Sequence, residues 1–140
     1  MNYSQNINVN ADSKKVFKAI TSQLNEWWGK TDNSVSKIGV EFTTKFGSAF
    51  WKFRVIEFIE NEKLTWECIG GEPEFNAEWI GTKIFWEVIP SENTTKVVFV
   101  HEGLTPEFKC YNICAPTWDM YITQSLKSFV ETGDGTPHLE

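Results

Sequence analysis

The sequence predicts an α+β domain, in which one curved antiparallel sheet wraps round a long C-terminal helix and two short helices follow the first strand. Three observations carry this. From Ile38 to Gly103, apolar and charged residues alternate through successive segments, as in a sheet with one wet face and one buried face. After Pro116 the period changes. Trp118, Ile122, Leu126 and Phe129 recur at i, i+4, i+8 and i+11, the stripe of an amphipathic helix. That segment alone is long enough to cover the apolar face of the sheet.

The elements follow in order. In residues 3–9, Ile7 and Val9 share one face and Ser4, Asn6 and Asn8 the other, a strand. Asp12 precedes Val16, Phe17 and Ile20, an acidic N-cap before helical spacing. Leu24, Trp27 and Trp28 suggest a second helical turn ended by Gly29. A strand is expected over Ile38–Phe42, then a turn at Gly47. Trp51, Phe53 and Val55 alternate with Lys52 and Arg54, and Asn61-Glu62 turns the chain. Leu64, Trp66 and Cys68 form the next apolar parity, and Gly70-Gly71-Glu72-Pro73 reads as a loop. Ile84, Trp86 and Val88 follow, then a turn at Pro90–Asn93, then Val97, Phe99 and His101. The closing helix spans about 16 residues, four to five turns, and Gly133, Gly135 and Pro137 stop it.

The 140 residues fit one domain, taken as 1–138, with Leu139-Glu140 read as an expression-tag scar. The net charge is −6 and no Lys/Arg cluster stands out, which excludes a nucleic-acid-tracking surface. Lys37 and Lys45 read as solvated surface. No segment approaches the roughly 20 apolar residues of a membrane span, so stable membrane association is not expected. The start, Met1 to Asn6, is polar and lacks a signal-peptide core. Three cysteines, an odd number, argue against a disulfide framework and for a reducing, cytoplasmic location.

Four collinear segments carry a family resemblance. VNADSKKVFKAITSQLNEWWG (9–29) holds a Val-Phe-x-Ala helix, Val16-Phe17-Lys18-Ala19, before the Trp27-Trp28 pair. FRVIEFIENEKLTWE (53–67) is a hairpin with a Trp near its end, and TTKVVFVHEGL (94–104) is a last strand. TWDMYITQSLKSFVETGDGTP (117–137) is a closing helix with a Gly-x-Gly-x-Pro ending. Together they resemble START-like (SRPBCC) domains, most nearly those related to the C-terminal domain of the activator of the heat-shock protein 90 ATPase. One departure is Thr117, where the family helix often has Gly before its Trp. The resemblance implies the helix-grip fold and a cavity between sheet and helix. It does not imply one reaction, since the superfamily includes lipid carriers, cyclases, plant ligand-binding proteins and chaperone regulators.

Aromatic residues make up 15% of the chain, with seven Trp and eleven Phe, enough to line a cavity or to fill a Trp-rich core. The candidate ligand-binding residues are Trp51, Phe53, Trp66, Trp86, Phe99 and His101 from the strands. The helix adds Trp118, Ile122, Ser125 and Phe129. His101 could anchor a ligand or act as a general base, or be a histidine satisfied by its neighbours. Glu78 is expected at the start of a strand, facing inward as an acid or outward into solvent. Cys110 and Cys114, four apart, could join Cys68 and His101 around a metal, but the spacing matches no zinc motif, and buried free cysteines are common in cores. No Cys-x-x-Cys redox motif, nucleophile motif or phosphate-binding glycine loop is present. His138 lies in the tail and is not a catalytic candidate.

The expectation is thus a cofactor-free monomer that binds a small hydrophobic, aromatic or lipid-like molecule without chemistry. The alternatives are a chaperone-interacting protein, on the resemblance alone, and a cyclase or hydrolase using His101 or Glu78.

Overall fold

The computed structural model describes residues 1–138; the reading of Leu139-Glu140 falls outside them. Seven strands form one antiparallel sheet. They are β1 (Tyr3–Val9), β2 (Lys30–Thr31), β3 (Glu41–Phe46), β4 (Ala49–Ile59), β5 (Lys63–Glu72), β6 (Lys83–Pro90) and β7 (Thr95–Glu102). Their order is β1-β7-β6-β5-β4-β3-β2, so the first strand pairs with the last, Tyr3 opposite His101. Register shifts between Lys52 and Phe53 and between Val55 and Glu57 interrupt the β4–β5 ladder. Such bulges bend and twist a strand, and these two fall in the middle of the sheet that curls round the helix.

Between β1 and β2 lie α1 (Ser13–Thr21) and α2 (Leu24–Trp27). The Asp12 carboxylate accepts the Lys15 amide at 2.8 Å, capping α1. This helix buries Val16, Phe17, Ala19 and Ile20, the face its spacing predicted. A short α3 (Glu74–Ala77) follows β5.

The long helix runs from 111 to 132 as α4 (Tyr111–Met120), a π-helical turn (Tyr121–Leu126) and α5 (Lys127–Thr132). It therefore starts before Pro116, not after it. Proline cannot donate to the carbonyl one turn earlier, here that of Asn112. Both residues lie on the exposed face, where water can take that bond. The π turn alters the predicted stripe. Trp118, Tyr121, Ile122, Ser125, Leu126 and Val130 are buried, and Phe129 is left half-buried. A π turn adds a residue to the helical repeat, which carries Val130 inward in place of Phe129.

Three further expectations are corrected. The strand expected from Ile38 begins only at Glu41. Gly39 has φ +93° and Ile38 is exposed, so this stretch is a turn. Gly70 and Gly71 are not a loop but the end of β5. A Cβ on Gly71 would lie 2.5 Å from the Asn76 carbonyl oxygen, so the glycine lets α3 pack directly on the strand. Finally, Cys110 and Cys114 form a disulfide, leaving Cys68 as the free cysteine. An odd count does not prevent two neighbours on one helical turn from pairing, and their Cα atoms are 5.5 Å apart.

The helix is laced to the sheet edge at both ends. Near its start, the Tyr3 hydroxyl donates to Asp119, which also accepts from Gln5 at 2.9 Å. Burial and the Asp119 carboxylate both raise the Tyr3 pKa, so the phenol stays protonated as the donor. Near its end, Lys127 donates to the Asn8 carbonyl and Glu131 accepts the Asn10 amide, each at 2.8 Å.

Candidate ligand-binding site

All seven tryptophans meet in the interior. From Trp27 the rings run through Trp86, Trp66, Trp28, Trp118 and Trp79 to Trp51, with successive centroids 4.0–5.9 Å apart. From Trp66 to Trp51 the rings are nearly parallel, with interplanar angles of 17–21°, an offset stack. Separate elements supply them. Trp28 follows α2, Trp66 is on β5, Trp118 on α4 and Trp51 on β4, and Trp79 lies between α3 and β6.

One end of this stack forms the wall of a cavity of about 240 Å³. Trp28, Trp79 and Trp118 line it with Phe46 and Trp51 of the sheet. The long helix adds Ile113, Cys114, Thr117 and Tyr121, and the tail adds His138. Ile113 is 58% exposed, so that wall reaches the surface. Burial raises the Tyr121 pKa, so its hydroxyl remains a neutral polar group at a mostly apolar wall.

The tail is held against this site. Ser125 donates to the Trp27 carbonyl at 2.6 Å and accepts the Thr136 amide at 2.8 Å. The His138 amide donates to the Trp28 carbonyl at 2.9 Å, and its ring lies edge-on to Phe46 at 5.5 Å.

His101 sits behind the wall. The Trp118 indole N–H, which can only donate, points to Nδ1 at 3.2 Å. The imidazole proton is therefore on Nε2, which donates to the Thr82 hydroxyl at 2.8 Å. That hydroxyl in turn donates to the Trp79 carbonyl at 2.7 Å. The ring is fully buried, and desolvation lowers its pKa to about 3. His101 is thus neutral with both nitrogens engaged, and it holds two wall tryptophans in place. It has no free lone pair with which to take a substrate proton.

Of the sequence-derived candidates, Trp51 and Trp118 line the cavity. Phe53, Trp66, Trp86, Phe99 and Ile122 are packed in the core, each at most 2% exposed. Ser125 ties the tail, and Phe129 packs against the core. Glu78 is not on a strand. It follows α3, and its carboxylate accepts the amides of Lys109 at 2.8 Å and Cys110 at 3.2 Å, at the start of the long helix. The pairing of Cys110 with Cys114 takes both out of the suggested thiolate set with Cys68 and His101.

Eight of the ten wall residues were not among the sequence-derived ligand-binding candidates, Phe46, Trp79 and His138 among them. Phe46 continues the Phe42–Thr44 parity, so it was findable. Trp79 and His138 lie outside any alternating or helical pattern.

A curled sheet gripping one long helix over an apolar cavity is the START-like, helix-grip architecture, and within that superfamily the chain resembles the Aha1 type. The solution structure of the Aha1 dimer from Colwellia psychrerythraea superposes with a TM-score of 0.82 at 26% identity, covering 96% of this chain and 99% of that one. SSP2350 from Staphylococcus saprophyticus superposes at 0.76 with 16% identity, over 99% of this chain and 100% of that one. DynU16, from the dynemicin biosynthetic locus, superposes at 0.76 with 17% identity, over 96% of this chain and 48% of that one. The last two likenesses concern the fold alone. No family model and no curated protein matches the sequence.

Proposed function

We propose that the chain binds a small, flat, mostly apolar molecule, a one- or two-ring aromatic, in the indole-walled cavity and performs no chemistry on it. The observation that carries this is the wall itself, where parallel indoles meet an opening of about 240 Å³. An apolar cavity of about 150 Å³ is large enough for benzene, so this one suits up to two fused rings and is small for a lipid chain. Trp28, Trp51, Trp79 and Trp118 give the wall its aromatic surface, while Tyr121 and Thr117 can meet one polar substituent.

The test is a titration with naphthalene, indole and a long-chain fatty acid, followed by chemical-shift perturbation of the indole N–H signals. Saturable shifts at Trp28, Trp79 and Trp118 with the aromatics are expected. If none of the three moves with any of them, the cavity is not a binding site.

The likeness to Aha1 favours a second reading, interaction with the heat-shock protein 90 chaperone. A change in chaperone ATPase rate on adding the chain would support it, and no change with no pull-down would dispose of it. We read the protein as a cytoplasmic monomer. The relative solved as a dimer makes the mass in solution the measurement to take, and a dimer by light scattering would overturn the monomer. Among the described residues no helix is long and apolar enough to cross a membrane.

A further inference from the structure

The disulfide between Cys110 and Cys114 spans one helical turn. That turn is already held by the Cys114 amide, which donates to the Cys110 carbonyl at 2.6 Å, and by Glu78, which accepts the Lys109 and Cys110 amides. A cross-link closing so short a loop removes less freedom from the unfolded chain than one closing a long loop, so stability alone is a weaker reason for it. The two residues also differ in access. Cys110 is fully buried, whereas Cys114 is 8% exposed and lines the cavity with Trp118. A thiol seated in the cavity meets Cys114 first, and exchange follows access.

We propose that the Cys110–Cys114 pair is a thiol–disulfide exchange site served through the cavity, with a small apolar thiol as co-reactant. This rests on the cavity being a ligand site and sets thiols apart from the other apolar ligands, which are bound without chemistry. The thiolate attacks Cys114 Sγ. A bond forms between its sulfur and Cys114, the Cys110–Cys114 bond breaks, and the electron pair leaves on Cys110 Sγ, which takes up the proton the thiol gave off. Return attack by Cys110 expels the thiol and restores the original disulfide. Attack by a second thiol on the mixed disulfide instead releases the oxidised dimer of the thiol and leaves two protein thiols. Two thiols are then oxidised and one disulfide reduced. The Glu78 and backbone bonds do not involve sulfur, so the turn keeps its shape when the S–S bond opens. Cys68 takes no part, since it is buried and its thiol is pushed up to about 12 by desolvation.

The native oxidised chain is incubated with benzyl mercaptan or 2-mercaptoethanol, thiols of similar acidity but opposite polarity. The reaction is quenched with iodoacetamide and read by intact and peptide mass spectrometry. The expected product is a benzylthio group on Cys114 with an alkylated Cys110, forming at least about tenfold faster than the 2-mercaptoethanol adduct because the ring is taken up from water. Equal rates, an adduct on Cys110, or a Cys110–Cys114 disulfide left intact overturns the proposal. Cys110→Ser, treated with dibenzyl disulfide, should hold a lasting adduct on Cys114 because the returning sulfur is gone. Naphthalene binding to the same sample, followed by NMR, separates the two readings. Saturable binding with the disulfide left intact removes the exchange site and leaves the binding function standing. Absent binding with equal rates removes both.

Discussion

Acidifying the protein from about pH 7 to about pH 5 should destabilise it through His101. A histidine free in the unfolded chain titrates near 6.5, and burial holds this one at about 3. The folded pKa is the lower, so between the two values the unfolded chain binds the extra proton. The stability owed to the neutral imidazole is therefore complete above about 6.5 and is lost progressively as pH falls toward about 3. Within that window each pH unit is worth about 1.4 kcal/mol, so the step from neutral to about pH 5 costs about 2 kcal/mol. The structural cause is direct. Protonation turns Nδ1 from an acceptor into a donor, facing an indole N–H that can only donate. The assay is urea unfolding at both pH values for the native chain and for His101→Gln. The variant loses about 1–3 kcal/mol at neutral pH from the broken hydrogen-bond chain, and its further loss on acidification should be about 2 kcal/mol smaller than the native loss. Every carboxylate and His138 are common to both proteins, so the difference isolates His101. Equal losses for the two chains would refute the reasoning.

Other substitutions probe the wall and its supports. Trp51→Ala removes a partly buried ring stacked 4.0 Å from Trp79; the affinity for naphthalene, measured calorimetrically, should drop about tenfold or more through loss of stacking area. Gly135→Ala places a Cβ 2.3 Å from the Glu26 carbonyl oxygen. It should lift the tail and raise hydrogen exchange at the Thr136 and His138 amides, while exchange in the central strands stays as it was. Glu78→Ala removes the acceptor for two amides at the start of the long helix and should lower stability by about 1–2 kcal/mol in thermal unfolding.

The fold was legible because charges keep to one parity over most of each strand, the bulge after Val55 being where β4 breaks the rule with Glu57. Trp66 and Trp86, or Arg54 and Glu67, declare which face they occupy without any tertiary information. The closing helix was legible for the same reason, though not its register. The π turn that buries Val130 leaves no trace in the spacing of Trp118, Ile122 and Leu126. The cavity was harder. Parity states that Phe53 and Trp118 both point inward, but not which inward side chain meets another ring and which meets empty space. Phe53 is packed against Phe42 and Trp66, while Trp118 is left at the edge of the filled region. Trp79 could not be read at all, because its inward position depends on α3 packing over Gly71, a contact made through backbone. The Cys110–Cys114 pair was visible as two cysteines on one helical face. Counting cysteines hid it, since parity of the count says nothing about local distance.

The seven-ring series has an optical consequence. Neighbouring indoles 4.0–5.9 Å apart are close enough for an absorbed photon to migrate among them before it is emitted. The chain should therefore behave as one collective chromophore, with coupled near-ultraviolet dichroism and emission drawn from its lowest-energy ring. Because Trp51, Trp79, Trp118 and Trp28 all border the cavity, an occupant that accepts excitation energy would dim all seven at once.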